Sequence, residues 1–169
     1  LPELLGVYYR SVGHGANLLL NLAPNAAGRL EPGEVHRLEE LAAEVRRRFG
    51  SPLGVAGPGL GALELVLPEA ALVSRFEAQE DLSQGETVLH WVLEADMGRH
   101  RGGTAWHRLA EGRALGHKRL GDFPPIRARR FRLWAPESRG PARLPVSWSS
   151  RPRPTRFRRC RSASTCWRR

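Results

Sequence analysis

The chain has 169 residues and a formal charge of +10, enough for one ordinary domain or two small ones. That charge suggests a nucleic-acid binder until it is divided along the chain: residues 139–169 hold ten arginines and no Asp, Glu or Lys, leaving 17 basic residues to balance the 17 acidic ones. The excess describes a tail and not a fold, and nucleic acid is an unlikely partner for residues 1–138.

The sequence opens at Leu1 without an initiator methionine or a charged-then-apolar leader, which suggests a start inside a longer protein. No stretch approaches the roughly 20 apolar residues of a membrane span, so no membrane partner is expected. Lys118 is the sole lysine, and the Gly, Pro, Ala, Leu and Arg bias is what GC-rich codons encode. Cys160 and Cys166 lie in the tail at a spacing that matches no zinc or redox pattern. No metal or cofactor is expected.

Leu1, Leu4, Leu5, Tyr8 and Val12 form one helical stripe, which Gly13 and Gly15 terminate. Residues 16–22, Ala-Asn-Leu-Leu-Leu-Asn-Leu, are short and apolar on both faces, the pattern of a buried strand in a parallel sheet. A second helix is predicted from Pro32 to Phe49, with Val35, Leu38, Ala42, Val45 and Phe49 on one face. Glu31 and Glu34 lie at its start and Arg46, Arg47 and Arg48 at its end, as the helix dipole favours. Helix, strand, helix is an α/β fragment, and one strand cannot make a parallel sheet. Its neighbours must be supplied from elsewhere.

After a Gly/Pro-rich link at 50–61 the period changes from 3.6 to 2. Strands are predicted at 62–67, 72–78, 88–95, 106–110, 115–120 and 130–133, with Leu72, Ser74, Phe76 and Ala78 sharing one face and Leu89, Trp91, Leu93 and Ala95 another. Six short strands separated by glycine-containing turns predict a small antiparallel β-sandwich. From Pro136 the periodicity vanishes and Pro, Ser and Arg dominate, predicting a disordered tail. After Leu144 the composition is that of GC-rich DNA read in a shifted frame. The domain division is therefore 1–50, 51–138 and 139–169.

The run from Ser11 to Pro24, Ser-Val-Gly-His-Gly-Ala-Asn-Leu-Leu-Leu-Asn-Leu-Ala-Pro, resembles the last strand of the catalytic barrel in glycoside hydrolase family 29, the α-L-fucosidases. Glu3-Leu4-Leu5 with Tyr9 is similar to the helix leading into that strand. Gln79-Glu80-Asp81-Leu82, Gly85, Trp106, Gly116-His117-Lys118-Arg119, Phe123-Pro124-Pro125 and Ala128-Arg129-Arg130 resemble, in order, the family's C-terminal domain. Residues 51–61 are shorter than the corresponding family segment. The resemblance implies that 1–50 is the last βα unit of a (β/α)8 TIM barrel and that the parent protein is a hydrolase, a retaining glycosidase of carbohydrate metabolism acting on fucosylated glycans. In such enzymes a carboxylate nucleophile and a carboxylic acid sit about 5 Å apart, and both come from earlier barrel strands. The chain itself is expected to hold neither, and to be inactive alone. A secreted or periplasmic location suits such a parent, but the sequence fixes none.

Barrel active sites gather at the C-terminal ends of the strands, which places Asn21 and Leu22 at the rim as substrate-binding candidates. Leu22 would offer an apolar wall to the methyl group of fucose. Packing of Leu22 in the barrel core, with Asn21 serving loop backbone, is the competing reading. Glu80 with Asp81, and Glu31 with Glu34, are read as structural carboxylates. His14 stands alone between two glycines, and His90, His100, His107 and His117 show no ligand spacing. Trp91 shares a face with Leu93 and is predicted to be core; Trp106 is open between core and a sugar-stacking role. Two alternatives to the fucosidase fragment stand: a free carbohydrate-binding sandwich, and a nucleic-acid or anionic-surface binder acting through the tail.

Overall fold

The computed structural model describes residues 1–100 and 103–149. Helix α1 spans Pro2–Arg10 and is followed by a 3₁₀ turn at Val12–His14. Helix α2 spans Pro32–Phe49, as its apolar spacing and its flanking Pro32 and Gly50 predict. Six strands follow: β1 Pro52–Leu60, β2 Ala62–Ala78, β3 Val88–His100, β4 Gly103–Gly112, β5 Arg119–Ser138 and β6 Arg143–Ser149.

All six strands belong to one antiparallel sheet in the order β1-β6-β2-β5-β3-β4. The two layers expected of a sandwich come from that single sheet doubling over. β6 touches β2 only at Glu77↔Ser147 and Ala78↔Val146, while it pairs with β1 along most of its length. The β1–β6 pair, made of the first and last strands, thus leaves the far end of β2 and folds back over its near half. There a Cβ on Gly54 would lie 2.9 Å from a δ-methyl of Leu67 and 3.1 Å from those of Leu65, so glycine lets β1 cross closely without shifting these leucines.

Several predicted elements differ from the observed ones. Residues 52–60 of the 50–61 link are strand β1, in which Gly54 and Gly59 serve close packing, while Gly61, at φ 70°, makes the turn into β2. The predictions at 62–67 and 72–78 are one strand, β2, interrupted between Val66 and Ala71 where Pro68 cannot donate to the ladder. A second irregularity between Val73 and Arg75 buries both Val73 and Ser74 and leaves Leu72 on the exposed side. Register shifts between Val88 and Val92 do the same to β3, burying Val88 and exposing Leu89. Residues 130–133 belong to β5, which begins only at Arg119, so 115–118 is connection. The disordered tail predicted from 139 is not found over 139–149, since Leu144 is fully buried and 143–149 is a strand. The remainder, 150–169, lies outside the described residues.

Residues 16–22 do not form a strand. They run extended and unpaired between the 3₁₀ turn and a tight turn in which Asn25 accepts from the amides of Ala27 and Arg29. Leu19 is 86% exposed.

The core lies between the two halves of the doubled sheet. Phe76, Trp91, Phe123, Phe131, Leu133 and Leu144 anchor it, with Trp91 and Phe123 both packed on the Phe76 ring. No residue of α1 is buried, and Leu41 is the one buried residue of α2. The helices sit outside this core.

Candidate functional site

The helices are held to the sheet by polar contacts. Tyr9, on the last turn of α1, donates to Asp122 of β5 at 2.9 Å. Arg48, at the end of α2, donates to the Tyr9 hydroxyl at 3.2 Å and to Asp122 at 3.3 Å. Arg75 of β2 meets the same carboxylate at 3.3 Å. Burial raises the Tyr9 hydroxyl above its ordinary range, so it stays a donor. Glu44 takes Arg47 and Arg48, and the hydrogen bond from Arg47 first of all lowers its carboxyl to about 2. Nothing local in the sequence signals this cluster, whose Tyr9–Asp122 contact spans 113 positions.

Above it an open cleft of about 660 Å³ lies between the apolar side of α2 and the 15–18 segment, with Tyr8, Leu18, Leu41, His117 and Lys118 in its walls. Asn17 lines this cleft. Asn21 and Leu22 lie farther along the segment; Asn21 is exposed and Leu22 half-buried. Neither of these two residues lines the cleft. Among the described residues His14 hydrogen-bonds only the Tyr9 carbonyl, at 3.0 Å.

The candidate carboxylates have backbone duties. Glu80 is buried, and its Oε1 accepts from the amides of Thr87 and Val88 and from the Thr87 hydroxyl. Asp81 caps the short 3₁₀ turn at Leu82–Gln84, accepting from Ser83 at 3.0 Å. Both lie in the β2–β3 connection and not on a strand. Glu34 lies in the first turn of α2. Among the described residues no group of three or more His, Cys, Asp or Glu is placed to hold a metal, and no helix is long and apolar enough to cross a membrane.

Trp91 is buried in the core. Trp106 faces the other way: it is half-buried on the outer face of the sheet, with the Arg132 guanidinium 4.2 Å and that of Arg130 5.4 Å from its ring centre. Arg132 and Trp134 both donate to Glu94, at 2.6 and 3.0 Å. Strand alternation contains this group in principle, but only the register of β3 against β5 brings it together.

An antiparallel sheet doubled on itself, with a two-helix segment tied to its side, is a fold shared with glycosidases. No family model matches the chain. The chain is 25% identical over 153 residues to α-L-fucosidase 1 of Arabidopsis thaliana, covering 70% of this chain and 29% of the plant protein. It is 24% identical over 166 residues to a candidate α-L-fucosidase of Oryza sativa subsp. japonica, covering 77% and 31%. A candidate α-L-fucosidase from Bacteroides thetaiotaomicron superposes with a TM-score of 0.74 at 29% identity, over 88% of this chain and 34% of that one. A Ruminococcus gnavus GH29 fucosidase, solved in complex with fucose, gives a TM-score of 0.74 over 89% and 37%; at 21% identity it speaks to the fold alone. The chain is therefore similar, in sequence and in fold, to part of the α-L-fucosidases of glycoside hydrolase family 29. It spans about a third of the length of the relatives it matches.

Proposed function

We propose that this chain is the C-terminal portion of an α-L-fucosidase, whose catalytic barrel is completed by polypeptide outside these residues. Residues 1–50 supply the last βα unit of that barrel, and the sheet from residue 51 onward is its C-terminal domain. In the complete enzyme a carboxylate attacks the fucosyl carbon while a carboxylic acid protonates the leaving oxygen, with net retention. Both groups belong to earlier strands. Asn21 and Leu22 stand at the rim, Asn21 to hydrogen-bond a sugar hydroxyl and Leu22 to meet the methyl group.

The observation that carries this reading is the pairing of a fold match over 88% of the chain with a coverage of only 34% of the matched structure. A second supports it: Ala16–Leu22 is apolar on both faces yet unpaired, with Leu19 86% exposed. A segment of that kind is stable when strands flank it and helices cover it.

The test is an assay on an aryl α-L-fucoside. The isolated chain is expected to show no turnover. A chimera in which this chain replaces the matching third of the Bacteroides thetaiotaomicron protein is expected to hydrolyse the substrate if that protein does. Turnover by the isolated chain, or a folded but dead chimera of an active parent, would overturn the proposal.

A further inference from the structure

We propose that the outer face of β2, β5, β3 and β4 is a binding surface for a neutral saccharide. The face is built of aromatic rings alternating with ion pairs. Trp134 and Trp106 are both half-buried there. The Arg132 guanidinium lies between them, 4.2 Å from the centre of Trp106 and 5.7 Å from that of Trp134. Planar guanidinium and indole groups held in this way form a rigid, partly apolar surface against which the C–H face of a pyranose can rest at little entropic cost. A face that served only solvation would not need two indoles.

Charge decides the class of ligand. The arginines beside the two indoles are already matched, Arg132 with Glu94 at 2.6 Å and Arg130 with Glu64 at 2.6 Å, and so is Arg108 with Glu111 at 2.9 Å. A phosphate or sulfate would have to compete with those carboxylates, so an anionic glycan or nucleic acid is a poor fit. A neutral polyol does not disturb the pairs. Arg132 spends only its Nε on Glu94, and Glu94 only its Oε2 on Arg132 and Trp134. The terminal nitrogens of Arg132 and the other oxygen of Glu94 have no hydrogen-bond partner among the described residues. Donors and acceptors side by side, next to an aromatic edge, suit a pair of sugar hydroxyls.

The face is also not flat throughout. One register step from the Val92↔Trp134 pair is His90↔Glu137, and there an open cleft of about 740 Å³ lies against the sheet. His90 meets Glu111 across it at 3.5 Å. Its volume is within the range of ordinary ligand pockets, so a glycan lying on Trp134 can seat one residue in it. The surface would hold a glycan whether or not the fucosidase reading is right, since no atom of it belongs to the rim at Asn21 and Leu22.

The experiment is a titration of the full chain with 2′-fucosyllactose and with lactose, followed by calorimetry and tryptophan fluorescence, against a heparin hexasaccharide as the anionic control. Binding of a neutral sugar at millimolar or tighter affinity is expected, at least about tenfold weaker in Trp134→Ala and in Glu111→Ala. If circular dichroism shows that Trp134→Ala does not fold, the exposed Glu111→Ala must carry the loss. Absence of neutral-sugar binding, undiminished binding in folded variants, or heparin binding that Trp134→Ala weakens overturns the proposal. Loss in Asn21→Ala with retention in Trp134→Ala would place the sugar at the barrel rim and sink the outer-face site alone. No hydrolysis is read, so failure here leaves the fucosidase reading where it stood.

Discussion

Glu80 shows how a carboxylate in a suggestive position can be employed, through one of its oxygens, in holding a connection together. Its Oε1 collects the Thr87 amide, the Thr87 hydroxyl and the Val88 amide, and its own amide reaches the Gly116 carbonyl at 2.9 Å. Removing the side chain strands those donors where water cannot replace it. Glu80→Ala is expected to destabilise the chain by about 2–4 kcal/mol, with Glu80→Gln losing less; urea unfolding midpoints decide between them, and an unchanged midpoint in Glu80→Ala would contradict the role. Glu44 behaves differently, because solvent reaches it. Its carboxyl is held at about 2, against an ordinary value of 4.5, by hydrogen bonds from Arg47 and then Arg48. A lowered folded-state value means that the group stabilises the fold at neutral pH and that this contribution is lost as pH falls from about 4.5 towards 2. Screening keeps it to about 1 kcal/mol or less. Glu44→Gln should therefore flatten the acid limb of the stability curve below pH 4.5 and leave the relative slope above pH 6 unchanged, as thermal denaturation across pH would show.

At the scale of elements, what could be read from the sequence followed from regular spacing, and what could not followed from irregular pairing. Helix α2 was legible to the residue, because Pro32 and Gly50 bound an unbroken 3.6 period with matching terminal charges. The inward faces of β2 and β3 were half legible. Phe76, Ala78, Trp91, Leu93 and Ala95 point inward as alternation requires. Leu72 and Leu89 do not, since the shifts near Val73–Arg75 and Val88–His90 reverse the parity. A bulge is chosen by the partner strand and leaves no local mark. β1 was hidden because its glycines read as linker, when they are where a strand passes closely over leucine side chains. Gly121 belongs to the same class: a Cβ there would lie 2.3 Å from Cε1 of Phe76, in the ring cluster that joins β2, β3 and β5. Gly121→Ala is expected to cost about 1–3 kcal/mol through overpacking, measured by chemical denaturation. A neutral effect would mean that the Phe76 cluster can give way.

Over the whole molecule, the two helices and the sheet are unequal partners. The sheet owns the buried core, whereas α1 and α2 rely on Tyr9, Arg48 and Asp122 and on the partly covered apolar side around Leu41. The candidate site was legible only as a segment: Asn21 and Leu22 were singled out by their place at the end of an apolar run, and the geometry gives them no partner that would identify a substrate. The outer-face group of Trp106, Arg132, Glu94 and Trp134 was only partly foreseen, Trp106 alone having been noted. The central claim of the proposal is that residues 16–22, unpaired in this chain, become a strand when the rest of the barrel is present. Amide hydrogen exchange of Leu18–Leu22 tests it most directly, first in the isolated chain and then in the active chimera with the Bacteroides thetaiotaomicron protein. The account predicts exchange near the unstructured rate in the chain alone and at least about hundredfold protection in the chimera. Strong protection in the isolated chain, or none in an active chimera, would contradict it.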